Sequence, residues 1–152
     1  MKLQEMVNEA FEIAAGNLSY SPDEMGNVPV LTYERPNGAM VSCAFGDFRE
    51  EHKGAISALM RAALKRDNAV RCVFCLEAWV TRVWTEEEPV RPSDRPDQQE
   101  VVMVIAEERS PRSVRVFQAP IIREAGAAPR LGAPEELDTT HSSGRFVGLL
   151  GD

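Results

Sequence analysis

Residues 69–84 read Ala69-Val70-Arg71-Cys72-Val73-Phe74-Cys75-Leu76-Glu77-Ala78-Trp79-Val80-Thr81-Arg82-Val83-Trp84. In an extended chain successive side chains point to opposite faces. Val70, Cys72, Phe74, Leu76, Ala78 and Val80 then line one side, and Val73, Cys75, Glu77, Trp79, Thr81 and Val83 the other. Both sets are mostly apolar, which predicts a central strand covered on both faces.

Downstream, Glu100 to Glu107 and Ser113 to Ala119 read as two more strands, with Arg109-Ser110-Pro111-Arg112 as the turn between them. The three strands make a meander. Upstream, Asp47 to Arg66 reads as a helix. Asp47 and Glu50 fit a capping box, and His52, Ile56, Leu59, Met60, Ala63 and Leu64 fall along one stripe. Asp67-Asn68 ends it. Two apolar runs, Val28 to Tyr33 and Ala39 to Phe45, flank Glu34-Arg35-Pro36-Asn37-Gly38 and predict a hairpin.

Residues 2–15 predict another helix, with Leu3, Met6, Val7, Ala10, Phe11 and Ala14 on one face and Gly16 as its stop. Ser21-Pro22-Asp23-Glu24 reads as a single helical turn. The expected fold is α+β: two layers, an antiparallel sheet of about five strands (hairpin plus meander) and two main helices. The second helix makes the crossover between hairpin and meander. Residues 1–123 form the expected single domain, and residues 124–152 a Gly/Ala/Pro-rich C-terminal extension. Its last apolar cluster, Phe146-Val147-Gly148-Leu149-Leu150, can dock on the sheet or on a neighbour.

The chain has 152 residues, enough for one core without a disulfide or metal staple. With 24 Asp and Glu against 17 Lys and Arg, its formal charge is -7. That balance disfavours phosphate backbones, so no nucleic-acid partner is expected. No run approaches the length of a membrane helix, and Glu5, Glu9 and Glu12 break the apolar core a secretion signal requires. Three cysteines, an odd number, fit a reducing compartment. A soluble, cytoplasmic protein is expected.

Cys72-Val73-Phe74-Cys75 has the C-x-x-C spacing, but on a strand the two thiols diverge and neither share a metal nor form a disulfide. Cys43 and His52 can be paired as nucleophile and base, although nothing in their spacing requires it. His141 lies in a polar stretch with no rigid partner. No metal and no cofactor is expected. Glu77 interrupts an apolar face, where a carboxylate needs a partner: Arg71, Arg82, Arg115 or a backbone amide. The loop Thr85 to Gln99 holds Glu86-Glu87-Glu88 and three prolines. Arg61, Lys65 and Arg66 read as cations at a helix end.

Glu77-Ala78-Trp79, then Pro92-Ser93-Asp94-Arg95-Pro96-Asp97, then Glu100-Val101-Val102-Met103-Val104 resembles an uncharacterised family of small bacterial and phage-associated proteins. The shared pattern is an E-A-W strand followed by a P-S-x-x-P-D-x-x-E loop. It covers roughly residues 69–133, with Pro129-Arg130-Leu131-Gly132 after the last strand. The resemblance implies no established activity. It does imply that Glu77, Trp79, Ser93, Asp97 and Glu100 belong together, with Trp79, Ser93 and Asp97 organising the loop.

Three functions follow as expectations. One is a non-catalytic interaction module or small homo-oligomer with a protein partner. Another is a hydrolase using Glu77 with Asp97 or Glu100 as acid and base. The last is an acidic decoy that imitates nucleic acid.

Overall fold

A computed structural model describes residues 2–20, 27–46, 48–81, 98–139 and 145–151. The elements are α1 (Leu3–Tyr20), β1 (Val30–Glu34), β2 (Met40–Ala44), α2 (Glu50–Arg66), β3 (Arg71–Thr81), β4 (Gln98–Arg109), β5 (Arg112–Ile122), β6 (Arg130–Leu131) and β7 (Glu135–Leu137). All strand pairs are antiparallel, in the order β2-β1-β3-β4-β5, and both β6 and β7 pair with β5.

The alternation along β3 builds two cores. Val73 packs with Leu3, Met6, Val7, Phe11, Ala14 and Leu18 of α1, over Val104, Ala106 and Phe117. Its neighbours Cys72 and Phe74 pack with Leu31, Tyr33 and the α2 residues Ile56, Met60 and Leu64. Adjacent residues of one strand feed different clusters, so α1 and α2 lie against opposite faces of one sheet. Each helix makes its own layer on the sheet. Both faces of β3 are covered at Cys72–Phe74, as its pattern requires, and the strand emerges at Trp79, which is exposed.

The α+β class and the crossover through α2 hold: β1, not β2, pairs with β3. In the hairpin the Arg35 amide donates to Ala39 O at 2.8 Å. Gly38 takes φ +86°, a region that side-chain-bearing residues rarely adopt. The sheet has seven strands among the described residues rather than about five. The two additions lie after residue 123 and are only two and three residues long, too short to show alternation in a sequence. Polar cross-strand pairs hold β7: Arg115 donates to Glu136 at 2.7 and 3.0 Å, and Gln118 donates to Glu135 at 3.0 Å.

The helices differ from expectation at the end of α1, at the start of α2 and in the buried stripe of α2. α1 runs through Gly16 to Tyr20, because Leu18 continues its apolar stripe into the core. α2 begins at Glu50, and its N-cap, Arg49, makes no capping hydrogen bond through its side chain. Asp47, the expected cap, lies outside the described residues, as does the turn expected at Ser21–Glu24. Leu59 does not join the buried stripe of α2; it is 64% exposed, and Ser57 takes the inward position. The C-terminal end behaves as read: Asn68 takes a left-handed φ of +52°, and the Ala69 amide donates to Leu64 O at 2.9 Å.

Candidate functional site

β3 and β4 bring three of the expected site residues together at one end of the sheet. Trp79 stands opposite Glu100, and Glu77 opposite Val102. Glu77 and Glu100 are therefore diagonal neighbours on one face, and diagonal pairs sit roughly 7–8 Å apart between Cα atoms. Ser93 and Asp97 lie outside the described residues. So do Arg82, His141 and the loop between Arg82 and Asp97.

Glu77 is half-buried. Its Oε1 accepts a hydrogen bond from Asn27 Nδ2 at 3.0 Å, and the same amide nitrogen lies 3.2 Å from Ala14 O. Asn27 Oδ1 accepts from Asn17 at 2.9 Å. The Glu77 carboxylate is thus tied to α1 through a neutral amide. None of the described arginines expected to pair with it does so. Arg71 is six positions back along the strand, about 20 Å at strand rise, and it pairs with Glu34 and Glu108 instead. Arg115 pairs with Glu136.

Glu100 is clamped. Arg123 donates through Nε and Nη2, both at 3.0 Å, in the two-pronged geometry that favours guanidinium–carboxylate pairs. Trp79, directly opposite Glu100 and two residues along the strand from Glu77, stays 44% exposed. Asn27, Pro29, Glu77, Trp79, Glu100 and Arg123 line a cavity of about 690 Å³. The site accordingly offers an exposed tryptophan beside a carboxylate whose only described hydrogen-bond donor is neutral.

Cys72 and Cys75 enter different cores, so the C-x-x-C thiols face apart as their spacing on a strand requires. Burial, with the Glu107 charge behind it, pushes the Cys72 thiol well up. Burial and then Glu77 push Cys75 up to about 12. Both remain protonated near neutral pH and lack the thiolate that metal binding or nucleophilic attack needs. His52 is half-buried on α2, and Cys43 is half-buried on β2. Among the described residues no group of three or more His, Cys, Asp or Glu side chains is arranged to hold a metal ion.

Two residues of the site, Asn27 and Arg123, carried no signal in the sequence. Asn27 is fifty positions from Glu77, a separation no local pattern reports. Arg123 falls four residues beyond the expected end of its strand at Ala119, and the observed strand runs on to Ile122. The chain matches no family model, no curated protein and no solved structure. No described helix is long and apolar enough to cross a membrane.

Proposed function

We propose that this chain is a non-catalytic interaction module that takes a cationic segment of a protein partner at the Trp79 end of its sheet. The observation that carries this reading is an exposed indole beside Glu77, with Glu100 already neutralised by Arg123. An ammonium or guanidinium over an indole face gains roughly 0.5–1 kcal/mol when exposed and about 2 when desolvated. A carboxylate alongside adds attraction. The net charge of -7 draws in a basic partner from a distance.

The same geometry favours hydrolysis less. An acid–base pair needs two carboxyl groups held in different protonation states. Both Glu100 oxygens are taken up by the Arg123 guanidinium, each at 3.0 Å, which competes with a substrate or water for them. A decoy needs unpaired carboxylates on one face, whereas Glu50, Glu124 and Glu136 are paired with Lys or Arg.

Titration with hexa-arginine, followed by calorimetry, tests the proposal. Trp79→Ala and Glu77→Gln should each weaken binding about tenfold, while Trp79→Ala shifts folding stability by no more than about 0.5 kcal/mol. Glu51→Gln, remote on α2, serves as the charge control. If all three variants bind the peptide alike, the site plays no part and the proposal falls.

A further inference from the structure

The stretch 145–151 is held differently from every strand. The Arg61 guanidinium of α2 donates to three of its carbonyls: Arg145 at 3.0 Å, Val147 at 3.2 Å and Gly148 at 2.6 Å. Ser57 Oγ donates to Arg145 O at 2.6 Å. From the sheet, Glu107 accepts the amides of Leu149 at 2.8 Å and Leu150 at 3.3 Å. Phe146 packs at a tilt against Phe74 and Phe48 with ring centroids 4.9 and 5.3 Å apart, and Leu149 and Leu150 fill the α2-side core.

A strand is satisfied by the backbone ladder of its neighbour. This segment is satisfied by side chains that read its main chain, with apolar sockets for Phe146, Leu149 and Leu150. That is how a groove recognises a peptide. Glu107 is 3% exposed, and a buried carboxylate stripped of its donors is costly. An emptied groove therefore favours refilling by a segment of the same kind.

We propose that the groove between α2 and the sheet is a peptide-recognition site for a Phe-x-Gly-Leu-Leu turn. The chain fills it with its own residues 145–151, and the same segment of a second copy can fill it instead. The intramolecular segment competes at an effective concentration of order millimolar for short linkers, so trans binding emerges only when the cis segment is weakened.

The test uses full chains and a labelled peptide, Arg-Phe-Val-Gly-Leu-Leu-Gly, standing in for the second copy's segment. The double variant Phe146→Ala/Leu149→Ala loses anchors but keeps the groove. It should bind the peptide at least tenfold more tightly than wild type and ignore a scrambled peptide of equal charge. Adding Arg61→Ala should remove that binding; adding Trp79→Ala should not, which separates this site from the cationic one. A double variant that keeps its β3–β4 amides protected yet binds no peptide overturns the proposal. Should the double variant fail to fold, hydrogen exchange of the wild-type chain decides. Leu149 and Leu150 amides exchanging faster than those of β3–β4 supports local release. Exchange at the same rate marks the segment as fixed core and ends the idea.

Discussion

Asp67 shows how one side chain gathers partners from three directions. It follows α2 and accepts hydrogen bonds from Arg66 Nε at 3.0 Å, from the Tyr33 hydroxyl and from Arg35 Nη2 at 3.1 Å. Arg66 first, then Tyr33 and Arg35, hold its carboxyl well below the usual carboxylate range. On the other side of the contact, burial and then Asp67 raise the Tyr33 hydroxyl. For a carboxyl depressed in the folded state, the stabilisation is present above the unfolded value of about 3.9 and is lost as pH falls through the folded value. Asp67→Asn should thus lower the urea midpoint by a constant amount from about pH 5 to pH 8, and the gap should close below about pH 4. Urea titrations of both chains across that range check it; a gap that widens in acid would reverse the assigned sign. In the sequence Asp67 was legible only as a helix terminator. Two of its three partners, Arg35 and Tyr33, lie 32 and 34 positions upstream, a separation no local pattern reports. Arg61 and Glu107 were obscured in the same way: each suits its own element and meets its partner through the fold.

Elements were more legible than their ends. Periodicity identifies α1, α2 and the long strands because repeated burial on one face leaves a regular apolar trace. Their limits depend on single residues whose local preference tertiary packing can override. Gly16 is the clearest case. Its local signal is a stop, yet Leu18 has a buried place beyond it, and the helix continues. Gly16 is exposed, and a Cβ built on it meets nothing within 4 Å. Gly16→Ala should therefore stabilise the protein by about 0.5–1 kcal/mol, since alanine loses less backbone entropy in a helix. Chemical denaturation measures the change directly. A loss of stability would mean that the chain needs glycine's freedom there and that the helix stops where the sequence first indicated. Glycine at 148 is the contrasting case, because its φ of +76° lies where a side chain is strained.

Across the whole molecule, two cores share one sheet, and β3 belongs to both. Leu18 sits in the α1-side core and Ile56 in the α2-side core, with the sheet between them and no common cluster. Leu18→Ala should cost about 2–5 kcal/mol and Ile56→Val about 0.5–1.5 kcal/mol. Sites without shared partners add within roughly 0.5 kcal/mol, so the double variant should equal the sum. Additivity in energy does not imply independence in unfolding. Val73 and Phe74 are consecutive residues of one backbone, each buried in a different core. Melting either face frees the strand that supports the other. The double variant should accordingly unfold in a single transition, with circular dichroism and tryptophan fluorescence coincident. Two separate transitions would mean that the faces are held by different parts of the chain, and the sheet would then be a partition between two folding units rather than their common frame.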